Sequence, residues 1–154
     1  SLLGSAALIL AQRPDIAERV RENPALLGAF IEETLRFEPP FRGHYRHVLR
    51  DTTLAGVGLT GGSRLVLLWG AANRDPDRFE NPDQFRLDRG ADKNHLSFGR
   101  GAHFCVGAAL ARMEARIVLR LLLEHSSLIE VADVGQWVPS ILVRRLERLE
   151  LKIS

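Results

Sequence analysis

Apolar residues recur at helical spacing from the start of the chain, where Leu2, Leu3, Ala6 and Leu10 share one face of SLLGSAALILAQRPD. The pattern opens with no capping segment and no initiator Met, so it reads as the back half of a helix and the chain as a piece of something longer. Pro14 suits the first turn of a short helix running through Val20. In ENPALLGAFIEETLRFEPP, Asn23 is the expected N-cap, Pro24 the first helical position, and Pro39 and Pro40 the stop. From Phe41 the texture changes to short β-like pieces, HYRHVLR, TTLAGVGL and SRLVLLWG, separated by Gly56, Gly58, Gly61 and Gly62; they predict a small antiparallel sheet. AANRDPDRFENPDQFRLDRG has no period, yet Phe79 and Phe85 beside prolines predict an ordered meander pinned to a core. VGAALARMEARIVLRLLLEH predicts a long helix with Val106, Leu110, Met113, Ile117 and Leu121 along one face, and the tail WVPSILVRRLERLELKIS returns as strands. The expected class is mainly α with small antiparallel β-sheets, an α+β chain without internal repeats.

Composition narrows the function classes. With 154 residues, 45% hydrophobic and 26% charged, the chain can bury one modest core and forms one domain at most. A net charge of +2 without a clustered basic stripe argues against a nucleic-acid partner. No apolar run is long enough to span a bilayer, and one cysteine cannot form an internal disulfide, so a cytoplasmic, reduced chain is expected.

That cysteine lies in FGRGAHFCVG, residues 98–107, at the beginning of the long predicted helix. The unpaired amides and positive dipole end of a helix stabilise negative charge on a sulfur placed there. Gly99, Gly101 and Gly107 let the backbone fold tightly around the sulfur and let a flat, bulky ligand approach closely.

Phe98, Gly101, Cys105 and Gly107 match the haem-ligand loop F-x-x-G-x-x-x-C-x-G, and in this stretch the chain resembles the cytochrome P450 family. Glu33-Thr34-Leu35-Arg36 resembles the family's E-x-x-R. The order of E-x-x-R, Pro-Pro, small sheet, ANRDP, meander and cysteine loop is the family's order. The resemblance spans essentially all of residues 1–154 and implies the C-terminal, proximal part of a single cytochrome P450 domain. The upstream half, including most of the central distal helix, is then expected to be absent.

The resemblance further implies haem b (iron protoporphyrin IX) as cofactor, with Cys105 as axial iron ligand and as the residue that tunes its chemistry. Phe98 and Gly99 would wall the haem, with Phe98 shielding the sulfur from water. Arg46 and His103 would meet its propionates, and amides around Gly107 and Ala108 would face the sulfur. Glu33 and Arg36 would form a structural triad with an arginine of the meander, Arg89 in the first place with Arg86 as the alternative, since Gln84 stands where the family commonly has that arginine. The implied activity is that of a soluble bacterial-type haem-thiolate monooxygenase acting on a small hydrophobic substrate. Its pocket would be lined from Phe41 to Tyr45, Leu65 to Trp69 and Val138 to Ile141. A ferredoxin-type electron donor would dock on Arg100, Arg112 and Arg116. Two alternatives remain beside it: a haem-binding module without oxygenase activity of its own, and a thiol-based redox protein using Cys105 with His103. A zinc site of His44, His47, His103 and Cys105 lacks C-x-x-C or H-x-x-x-H spacing.

Overall fold

Prolines and one asparagine divide the first third of the chain into helices as the sequence predicts. The computed structural model describes residues 1–89 and 94–154. Helix α1 (Leu2–Gln12) stops just before Pro14, which opens α2 (Pro14–Glu22), two residues longer than expected, because a proline at the first helical position forgoes only an amide that would be unpaired there. Asn23 caps the next segment by accepting the Ala25 amide at 3.2 Å. A single 3₁₀ turn, Pro24–Leu26, then runs into α3 (Leu27–Phe37). Phe30, Ile31 and Leu35 of α3 meet Ala6 and Leu10 of α1 and Ala115, Leu119 and Leu123 of the long helix α5 (Ala108–Glu124) in one core.

The predicted small sheet is two separate ribbons. Strand β1 (His44–His47) pairs antiparallel with β4 (Arg64–Leu67), while β2 (Thr52–Leu54) and β3 (Val57–Leu59) form their own hairpin. Ala55 and Gly56 both take positive φ (49° and 81°) at that hairpin's two-residue turn, whose twist matches the strands it joins. A short helix, α4 (Trp69–Ala72), follows β4. In the tail only β6 (Leu149–Ile153) is a strand, paired with β5 (Ile129–Val134). Elsewhere the tail makes isolated bridges, one of them from Val143 to Phe41.

Helix α5 departs from the expectation most. The helix begins at Ala108, so Val106 lies before it; Leu110, Met113, Ile117 and Leu121 do share a face, but it is the exposed one, whereas Ala108, Ala115, Leu119 and Leu123 turn inward. The helix is apolar on two sides, and spacing alone does not say which side meets α1 and α3.

Helix α3 carries three ionised residues, Glu32, Glu33 and Arg36, in the core, so each requires a partner. Arg36 satisfies all five of its N–H donors. Two go to the Glu33 carboxylate, both at 2.8 Å, and three to the backbone carbonyls of Asn73, Pro82 and Gln84 at 2.9, 2.8 and 3.1 Å. Arg89 donates to the same carboxylate at 3.1 Å and to the carbonyls of Glu80, Asn81 and Gln84. Arg86 reaches Glu33 only through its backbone amide, at 2.9 Å, while its side chain pairs with Asp88 and Glu80. The meander is therefore held by two guanidiniums that supply the donors a regular element would have supplied. Phe79 is buried beneath them, and Phe85 packs 5.7 Å from the Phe30 ring, in keeping with an ordered meander.

Glu32 faces the other way. Arg112 of α5 donates to both its oxygens, at 2.6 and 2.8 Å, and His95 Nε2 lies 3.1 Å from Oε2. Burial pushes the Glu32 carboxyl up, but the hydrogen bonds and charges of Arg112 and His95 outweigh it and bring the group from 4.5 down to about 2.

Two predictions concern stability. Replacing Glu33 by Ala leaves Arg36 buried without a counter-charge, at a cost of about 3–5 kcal/mol, a large part of a domain's total of about 5–15 kcal/mol. Urea unfolding followed by circular dichroism should therefore show Glu33→Ala largely unfolded, and a parental midpoint would show that the pair holds nothing together. Because the folded Glu32 carboxyl takes up its proton only near pH 2 and the unfolded one near 4.5, its contribution is complete above about 4.5 and lost as pH falls towards about 2. Glu32→Gln should thus be less stable than the parent at neutral pH, with a gap in urea midpoint that closes across that window.

Candidate functional site

The cysteine loop is a tight hairpin between the meander and α5. The Cys105 amide donates to the Phe98 carbonyl at 2.9 Å and closes its neck, and the Gly99 amide donates to the Leu96 carbonyl at 2.8 Å. Gly99 and Gly101 take φ of +70° and +74°, the left-handed region that a residue with a Cβ enters only at a cost. A 3₁₀ turn, Gly101–His103, then leads the chain to Cys105. A Cβ on Gly107 would sit 3.8 Å from the Cys105 sulfur, which places the sulfur over the residue that caps α5, beside its positive end. The Ala108 amide does not serve that sulfur as the sequence reading expected; it donates to the carbonyl of Cys105 itself at 3.2 Å.

Cys105 is a free thiol, exposed on the wall of a cavity of about 620 Å³. Phe98, Gly99 and His103 share that wall. Arg46 and His44 project from β1, Trp69 from the start of α4, and Leu2, Leu35, Pro40 and Ala111 supply apolar surface. Strand alternation explains why His44 and Arg46 share a face and His47 does not. His44 Nδ1 accepts the Trp69 indole N–H at 2.7 Å, and no group of three or more His, Cys, Asp or Glu placed to hold a metal occurs among the described residues. The zinc arrangement therefore has no support.

The Phe98 ring lies 4.6 Å from the Arg112 guanidinium carbon, 6.1 Å from the His95 ring and 6.4 Å from that of Phe104. Two expectations about side chains need revision. Arg112 is no free docking cation, because Glu32 holds it; Arg100 and Arg116 are exposed. Of the expected lining segments, Phe41, His44 and Trp69 reach the cavity, whereas Ile141 lines a separate groove with Phe37, Glu38 and Leu68.

Reading along the chain missed Leu2, Leu35, Ser97 and Ala111 in the cavity wall, and Asn73, Glu32 and His95 behind it. Asn73 is fully buried; it donates to the Ser97 hydroxyl at 2.9 Å and accepts the Leu96 amide at 2.7 Å, tying the segment before Phe98 to the end of α4. The signal that could have found it was a polar residue between the apolar strand β4 and the aspartate-rich meander.

The described residues contain no helix long and apolar enough to cross a membrane. The chain is 72% identical over its whole length to cytochrome P450 144 of Mycobacterium tuberculosis, and spans 36% of the length of that relative. Among solved structures, Mycobacterium marinum cytochrome P450 CYP150A6 in the substrate-free form superposes with a TM-score of 0.96 at 38% identity, over 99% of this chain and 40% of that one. P450BioI in complex with an acyl carrier protein ligated to hexadec-9Z-enoic acid superposes at 0.95 with 40% identity, again over 99% of this chain and 40% of the other. The fold is thus the α+β fold of those proteins in its matching part. The family model for cytochrome P450 matches residues 5–142, and the chain belongs to the cytochrome P450 family.

Proposed function

We propose that this chain is the proximal, haem-binding part of a cytochrome P450 monooxygenase, with Cys105 as the axial iron ligand. The observation that carries this reading is one free sulfur at the positive end of a 17-residue helix, exposed on an apolar cavity with cationic groups at its side. The residues suit haem b: a soft thiol donor, apolar walls from Leu2, Leu35, Phe41 and Phe98, and Arg46 and His103 to pair with two carboxylates. Cys105, Arg46 and His103 would hold the haem, which would supply activation of dioxygen and transfer of one oxygen atom to a C–H bond.

The remaining roles belong to the chain. Gly99 offers a face without a side chain, against which a flat macrocycle can lie. The backbone of Gly107, next to the sulfur, leaves room for the thiolate and places the helix dipole behind it. The apolar cavity favours a hydrophobic substrate, and the exposed Arg100 and Arg116 favour an acidic, ferredoxin-type electron donor in the cytoplasm.

This chain spans little more than a third of its relative, and Leu110, Met113, Ile117 and Leu121 form an uncovered apolar face on α5. We therefore assign full activity to the chain combined with the remainder of the fold that its relatives carry, which would cover that face. For the isolated chain the uncovered face favours the second reading, a haem-binding module without oxygenase activity of its own.

Carbon monoxide difference spectra of the reduced, haem-reconstituted chain test the assignment. The parent should give the long-wavelength thiolate-type Soret band and Cys105→Ser should lose it; identical spectra would sink the ligand assignment. Arg46→Ala should bind haem roughly ten- to a hundredfold more weakly in a titration of the apoprotein, as expected for one lost charge-assisted hydrogen bond of about 1.5–3 kcal/mol.

A further inference from the structure

Glu32, His95 and Arg112 form a buried group that none of the roles above employs. Its parts come from three places: α3, the segment between the meander and the cysteine loop, and α5. Arg112 donates Nε–H and an Nη2–H to the two oxygens of Glu32, at 2.6 and 2.8 Å, so the guanidinium plane is fixed by a two-point contact. His95 Nδ1 accepts the Ser97 amide at 3.3 Å. Nε2 must therefore carry the ring proton and donate to Glu32 Oε2, 3.1 Å away. The carboxylate is thereby held by His95 as well as by Arg112, which share its Oε2.

The oriented guanidinium faces the Phe98 ring, with its central carbon 4.6 Å from the ring centroid. Rings of His95 and Phe104 bound Phe98 elsewhere, at 6.1 and 6.4 Å. The Phe98 backbone carbonyl in turn receives the Cys105 amide at 2.9 Å, the bond that closes the neck of the loop. A chain of contacts thus runs from Glu32 through Arg112 and Phe98 to the backbone of Cys105, and Arg112 sits on the helix whose first turn backs the sulfur.

We infer that Arg112, oriented by Glu32 and His95, is a positioning residue for Cys105: its guanidinium plane fixes Phe98, and Phe98 fixes the backbone that carries the sulfur. The functional meaning of this role rests on the proposal that Cys105 is the iron ligand, whereas the coupling itself does not. A lysine at position 112 keeps the charge but has neither the fork nor the flat face. Charge alone is thus separable from orientation.

Amide hydrogen exchange in the 154-residue chain without haem reads the coupling directly. Arg112→Lys and Glu32→Gln should each speed exchange of the Cys105 amide about tenfold, the scale of one lost cation–π contact with its paired fork. The Gly135 amide, bonded to the Arg148 carbonyl at 3.0 Å in the distant C-terminal ribbon, should keep its parental rate and so report that the variant is folded. Haem-reconstituted Arg112→Lys should in addition show a smaller fraction of the thiolate-type band than the parent. Unchanged exchange at Cys105 in Arg112→Lys would overturn the inference, as would a rise matched at Gly135, which marks general opening. Loss of the Cys105→Ser spectral difference together with the expected exchange pattern would remove the iron-ligand reading and leave the positioning of the loop standing.

Discussion

One carboxylate, that of Glu33, is shared by two guanidiniums, and the placement of the meander depends on that sharing. Residues 80–84 run without regular secondary structure, so their carbonyls need donors from elsewhere. Arg36 and Arg89 provide them, and both are neutralised by the same anion. Burial would make either cation untenable alone, which is why the residues work as a set rather than as separable pairs. The set also joins α3 to the carbonyl of Asn73, and Asn73 holds the segment that enters the cysteine loop.

The loop itself illustrates how backbone freedom and helix electrostatics combine. Positive φ at Gly99 and Gly101 lets the chain reverse within a few residues, so Cys105 arrives immediately before α5 instead of somewhere along it. Placed there, the sulfur sits beside the helix terminus and on the wall of a largely apolar cavity. The same helix faces the core with Ala115 and Leu119 and leaves a second apolar stripe outside. A helix hydrophobic on both sides belongs between layers, in keeping with relatives whose chains are more than twice as long.

Much of this was legible along the chain. Helix starts and stops followed from Pro14, Asn23, Pro24, Pro39 and Pro40, because proline and cap chemistry act within a turn of backbone and need no partner at long range. The cysteine loop and Glu33–Arg36 were readable because each is a local pattern with fixed spacing. The ordered meander was inferred from Phe79 and Phe85, apolar residues that a floppy loop has no use for.

What the tertiary structure alone decided are the contacts that cross long stretches of sequence. The motif match favoured Arg89 but left Arg86, three residues away, open; packing sends the Arg89 guanidinium to Glu33 and that of Arg86 to Asp88. Nothing local said which apolar face of α5 meets α3, that the three strand-like pieces split into two ribbons, or that Arg112 would be consumed by Glu32. Local patterns record what the backbone can do within a turn or two. Which charges share one buried anion is settled only when distant segments compete for the same limited low-dielectric space.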